Sequence, residues 1–76
     1  MFNAKQLREF LNATPFRPFR VHTSDGSVYK VPHHDAAFVT QTKMEIGLDL
    51  NADGIARRSV HCPILHIIQI EELQTA

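Results

Sequence analysis

From Phe19 onward the apolar residues of this chain recur at every second position, and that period restricts its fold more than any other feature. Phe19, Val21 and Thr23 alternate with Arg20, His22 and Ser24. Such alternation marks a half-buried strand, whose successive side chains point to opposite faces. Asp25-Gly26 then supplies a hairpin turn, because glycine accepts the positive φ that tight hairpins need. A return strand is expected over residues 27–31, with Tyr29 and Val31 on one face and Pro32 closing it or holding it at an edge. His33-His34-Asp35 reads as a loop, and Phe38-Val39-Thr40 is short and β-prone. Lys43–Leu50 sets Met44, Ile46, Leu48 and Leu50 against Glu45, Gly47 and Asp49, and Gly47 suggests a bulge or sharp bend. Residues 56–62 form a candidate strand, broken by Pro63. Residues 63–66 suit one tight helical turn, and residues 67–73 a final strand. Ile64, Leu65, Ile67, Ile68 and Ile70 make the most apolar run in the chain, which predicts a central place for that strand.

The period is different before Phe19. Asn3 can cap a helix, with Gln6 three residues on as its reciprocal partner. Phe2 and Leu7 stand at the spacing of a hydrophobic staple. Leu7, Phe10 and Leu11 share one face, while Lys5, Arg8, Glu9 and Asn12 look away. Pro15 disfavours helical geometry at Thr14, so the helix is expected over residues 3–13. About three turns are too few to be stable alone, so it must lie against the strands. Residues 15–18 form a linker within PFRPFR, where two prolines favour an extended path. Phe16 and Phe19 then share a side and plug the core, and Arg17 and Arg20 share another side. The expected fold is α+β, mainly β: an N-terminal helix packed on a small five-stranded, strongly bent antiparallel sheet or barrel, in one domain over residues 1–76.

Composition bounds the function. With 76 residues the domain buries only roughly 60% of its unfolded surface, and a partner subunit is a common remedy. Eight basic residues balance eight acidic ones, so no global field draws nucleic acid or an anionic membrane. The charge is nonetheless divided. Residues 1–43 carry six basic and three acidic residues, a net of +3; residues 44–76 carry two and five, a net of −3. A bipolar chain of this kind suits head-to-tail self-association, but the expectation is solvated faces on which the two signs happen to segregate. A single cysteine, Cys62, fits a reducing compartment, and no apolar run suits a signal peptide or a membrane span, so a cytoplasmic location is expected.

Three motifs bear on chemistry. DLNADG at residues 49–54 begins like a calcium loop, with Asp49, Asn51, Asp53 and Gly54 in place. Position twelve is Val60, which cannot bind, and Arg57 and Arg58 oppose a cation, so a strand-to-strand turn is expected. Five histidines include His33-His34, and His61 and His66 near Cys62. Neighbours on a strand point apart, so His61, Cys62 and His66 make a poor zinc set, and histidines that titrate near neutrality are expected instead. The same geometry separates Cys62 from His61 as a base and predicts a buried structural thiol. No glycine-rich phosphate loop, no nucleophile motif and no carboxylate pair at helical spacing is present. The chain is expected to be no enzyme and to hold no cofactor and no metal.

Two resemblances follow. The order helix, PFRPFRVHTSDG, SVYKVPHH, then VHCPILHIIQIEEL resembles a family of short uncharacterised bacterial proteins, which implies no activity. The architecture resembles the Sm-like barrel (and SH3-like small barrels more broadly): Asp25-Gly26 matches the first hairpin turn and residues 63–66 the turn before the last strand. That resemblance implies ring assembly through the edges of the last two strands and RNA binding on a ring face. Its RNA motifs are absent, since His61-Cys62-Pro63 stands where the bacterial chaperones carry Tyr-Lys-His. The expected function is a non-enzymatic module that associates with itself, as a dimer or ring, or with a protein partner. The alternative is an RNA-binding ring using Arg17, Arg20, Tyr29, Arg57, Arg58 and His61, and the minor alternative a histidine-based metal-binding domain. No membrane or small-molecule partner is expected.

Overall fold

Asn3 opens the helix α1 (Ala4–Leu11) as its sequence predicts; the structure, a computed structural model, describes residues 1–73. The Asn3 side chain accepts the Gln6 N–H at 2.9 Å, and the Gln6 side chain accepts the Asn3 N–H at 3.0 Å. Two donors that the first turn leaves without helical partners are thereby satisfied. The helix ends at Leu11, two residues before the expected position, with Asn12 as its cap donating to the Arg8 carbonyl. Leu7 and Leu11 are buried and Phe10 is half-buried. This face rests on the short strand β3 (Ala37–Val39).

Alternation delivers the remaining strands: β1 (Phe19–Thr23), β2 (Val28–Val31), β4 (Lys43–Leu50), β5 (Ala56–Pro63) and β6 (Ile67–Glu72). A single 3-10 turn, Ile64–His66, joins the last two. All pairings are antiparallel, in two three-stranded sheets of order β2-β1-β6 and β3-β4-β5. The count is therefore six strands and not five, and among the described residues no ladder joins the sheets into a closed barrel. The difference arises at residues 32–36. Pro32 lacks the N–H a ladder needs, and the chain turns there, with the Ala36 N–H on the His33 carbonyl. The β-prone residues beyond it form a strand of their own.

Two further expectations are corrected. The last strand is not central: β1 is, and β6 lies at the edge of its sheet. Register slips by one residue between His22 and Thr23, so that His22 faces Gln69 and Thr23 faces Ile67. Ile68 is the extra residue and is 63% exposed. Apolar composition thus marks an exposed edge here. Gly47 is no bulge, since β4 and β5 hold one register from Lys43↔Pro63 to Leu50↔Ala56. It permits a close approach instead. Its N–H meets the Ala36 carbonyl at 2.7 Å, and a Cβ would stand 2.9 Å from that of Ala56. The left-handed backbone lies two residues on, at Asp49 with φ 56°.

One core serves all elements. Phe19, Val21, Val31 and Ile67 of the first sheet meet Ala37, Met44, Ile46 and Cys62 of the second, with Leu7, Leu11 and Ile64 filling in. Phe19 is the centre of the aromatic contacts, with ring centroids 5.7 Å from Phe10 and 6.1 Å from Phe16. Phe19 therefore plugs the core, as expected, and Phe16 packs half-buried against it. Among the described residues no helix is long and apolar enough to cross a membrane.

Candidate functional site

The hydrogen-bond phase of each sheet decides which backbone groups remain available. In the first sheet Leu73 N–H bonds the Pro18 carbonyl, and antiparallel bonds repeat every second residue. Gln69 and Glu71 therefore turn their backbone toward β1, while Ile70 and Glu72 turn theirs outward. In the second sheet Thr40 N–H bonds the Lys43 carbonyl, and Gly47 N–H bonds that of Ala36. Odd residues of β4 thus face β3 and even ones face β5, in agreement with the bond from Ile64 N–H to the Thr42 carbonyl. Ser59 and His61 of β5 are left with outward N–H and C=O groups; toward the hairpin the phase changes, since Asp49 takes φ 56° and Asn51 N–H bonds the Ile55 carbonyl.

The four sheet edges are not alike. β3 and β2 are only three and four residues long, and Pro32 follows β2. Shortness and proline are ordinary means of blunting an edge. β6 and β5 have six and eight residues and pair on one side only among the described residues. Their charges are opposite. β5 carries Arg57 and Arg58 at its start; β6 carries Glu71 and Glu72 at its end. Beside them Leu65 and Ile68 are 73% and 63% exposed.

Several of these charges already have internal partners. Glu71 accepts from His22 at 3.0 Å and lies 3.5 Å from Arg20. The His22 hydrogen bond, followed by the nearby Arg20 charge, holds the Glu71 carboxyl below the usual carboxylate range. Arg58 donates to Asp49 at 3.0 Å. Arg57 and Glu72 form no ion pair among the described residues.

His61 stands on the β5 edge within a bridge. Its Nδ1 lies 3.2 Å from Lys43 Nζ, and its Nε2 lies 3.4 Å from Glu45 Oε2. It also lines a shallow groove of about 310 Å³ with Thr23, Asp25, Tyr29, Cys62 and His66. A larger groove of about 570 Å³ brings Tyr29 together with Lys30 and Arg58 over Leu48 and Leu50. Of the six residues assigned to RNA from the sequence, Tyr29 thus meets Arg58 in one groove and His61 in the other. Arg17, Arg20 and Arg57 line neither. The acidic edge, Glu71 and Glu72, was missed by residue-level reading; the −3 charge of the second half was the signal for it.

The metal motifs resolve into structural roles. DLNADG closes the β4–β5 hairpin. Asn51 Oδ1 accepts the Asp53 and Ile55 N–H groups at 2.9 and 3.0 Å, and Gly54 takes φ 78°. His66 Nδ1 contacts Ser24 Oγ at 3.1 Å. Cys62 is buried, and desolvation, reinforced by the Asp25 charge, raises its thiol above the ordinary value. Among the described residues no three His, Cys, Asp or Glu side chains converge as metal ligands. Comparison with known protein families, curated proteins and solved structures returns no match, so neither resemblance noted in the sequence gains support from them.

Proposed function

We propose that this protein is a non-enzymatic module that associates with itself head to tail, the β5 edge of one copy pairing with the β6 edge of the next. The observation that carries this reading is the match between the two edges. Laid antiparallel with Arg57 opposite Glu72, Ser59 falls opposite Ile70, and His61 reaches the bulge beside Ile68. Arg58 then falls opposite Glu71. The outward backbone groups of Ser59 meet those of Ile70, and both charge pairs are of opposite sign. A two-fold pairing of like edges brings no opposite charges together: centred on Ser59 it sets Arg57 against His61, and centred on Ile70 it sets Glu72 against Ile68. An interface between unlike edges repeats from copy to copy and forms a ring when its rotation closes.

The Sm-like reading belongs to this proposal. The order of helix, strands, one 3-10 turn and last strand supports it, with β2 and β3 as two halves of one bent strand interrupted at residues 32–36. Light scattering coupled to size exclusion, with refractive-index detection, tests the association. The expected mass is several times that of the subunit. Arg57→Glu places two carboxylates face to face and weakens assembly about tenfold or more. Glu72→Arg does the same, and the double variant R57E/E72R restores the mass. A subunit mass for the unaltered protein, or a double variant no better than either single one, refutes the pairing.

A further inference from the structure

We infer that assembly through the β5 edge is controlled by pH through His61, an inference that rests on the head-to-tail pairing above. His61 is the one imidazole among the outward-facing rungs of β5, and imidazole is the side chain type that takes up a second proton on mild acidification. Its two nitrogens are already assigned by their neighbours. Lys43 Nζ, a donor only, stands 3.2 Å from Nδ1, so Nδ1 accepts. Nε2 therefore carries the proton and points it at Glu45, 3.4 Å away, which also accepts from Ser59 Oγ at 3.2 Å. The bridge from Lys43 through His61 to Glu45 is complete with a neutral ring.

A second proton has one place to go, Nδ1. It would turn an acceptor into a donor facing an ammonium group. The bond from Lys43 is lost and two cations are left side by side. The other charged and titratable neighbours are those of the adjoining groove. Asp25 already accepts from Thr23 Oγ1 and from the Ser27 N–H, and Tyr29, Cys62 and His66 complete the lining. In the separate subunit water solvates the imidazolium, since the side chain is 53% exposed. In the assembled edge the same ring lies against Ile68 of the neighbouring copy. An apolar neighbour takes that water away; the Glu45 carboxylate balances Lys43 alone, so the desolvated Lys43–His61–Glu45 trio is neutral with the neutral ring and carries a net +1 with the charged one. The neutral ring thus belongs to the assembled state and the charged ring to the free subunit. The two conditions are linked: acidification must release subunits, by up to tenfold in the association constant per pH unit for each interface.

The experiment is light scattering at pH 8.0 and pH 5.5 on the full chain, on His61→Gln and His61→Leu, and on His66→Gln and His22→Gln. The expected result is a multi-subunit mass at pH 8.0 that falls toward the subunit mass at pH 5.5. Both His61 variants keep the larger mass at both values, and the His66 and His22 variants behave as the unaltered protein does. Two variants at His61 are used because glutamine retains a polar group on the edge and leucine does not. A large mass at both pH values for the unaltered chain overturns the pH control and leaves the association standing. So does a pH response that survives in both His61 variants. A subunit mass at both values overturns the association itself.

Discussion

Gly47 shows how one residue fixes the distance between two segments. Its N–H bonds the Ala36 carbonyl at 2.7 Å, and no side chain stands between that carbonyl and β4. A methyl group placed there would meet Ala56 Cβ at 2.9 Å and the Ala36 oxygen at 3.3 Å. Both neighbours are held by backbone, so neither can swing aside. Gly47→Ala is therefore expected to destabilise the fold by about 1–3 kcal/mol, the usual cost of overpacking. Denaturant unfolding measures it, and an unchanged midpoint would show that the strands can spread. Asp25 has a comparable local task. It accepts from Thr23 Oγ1 and from the Ser27 N–H, closing the β1–β2 turn whose Gly26 takes φ 89°. Those hydrogen bonds, Thr23 first, hold its carboxyl below its ordinary value.

At the scale of elements, α1 is eight residues long and depends on its cap and its buried face. Asn3→Ala removes the acceptor for the Gln6 N–H and is expected to cost about 1 kcal/mol. Thermal unfolding reads it, and a melting temperature within error of the unaltered chain would show that the box contributes nothing. This helix was legible because capping is local: Asn3, Gln6 and Leu7 lie within five positions. The Asp25-Gly26 hairpin and the DLNADG turn were legible for the same reason. The places of the strands within sheets were not. The apolar run at residues 64–70 predicted a central strand, yet β6 lies at an edge with Ile68 outside. Period and composition describe what a strand can bury, and sheet order depends on pairings distant in sequence. The candidate edges were hidden likewise. That Ser59 and His61 point their backbone outward follows from bonds that β4 makes to β3, which alternation alone does not contain.

The whole molecule is held together late in its sequence, since β6 must return to β1 to complete the first sheet. Glu71 fastens that return through His22 and Arg20 of β1, and Asp25 fastens the hairpin on the other side of the same strand. Both carboxyls are depressed in the folded state. The unfolded chain therefore takes up these protons at a higher pH than the folded one does. The stabilisation they provide is full above the ordinary values of 4.5 for Glu71 and 3.8 for Asp25, and is lost as pH falls through the depressed values. Both carboxyls are exposed to solvent, so each contributes modestly. The melting temperature is accordingly expected to be level from pH 7 to about 5 and to decline below that. Glu71→Gln and Asp25→Asn should each start lower at neutral pH and decline less steeply. Parallel decline in all three proteins would place the acid sensitivity elsewhere. This window lies below the range in which His61 is assigned control of assembly. Subunit mass should therefore change first on acidification, while the melting curve of each subunit is still intact, and only further acid should unfold the chain. Light scattering and circular dichroism on one pH series separate the two events. Simultaneous loss of mass and of structure would mean that the subunit does not hold its fold once its β5 and β6 edges are uncovered.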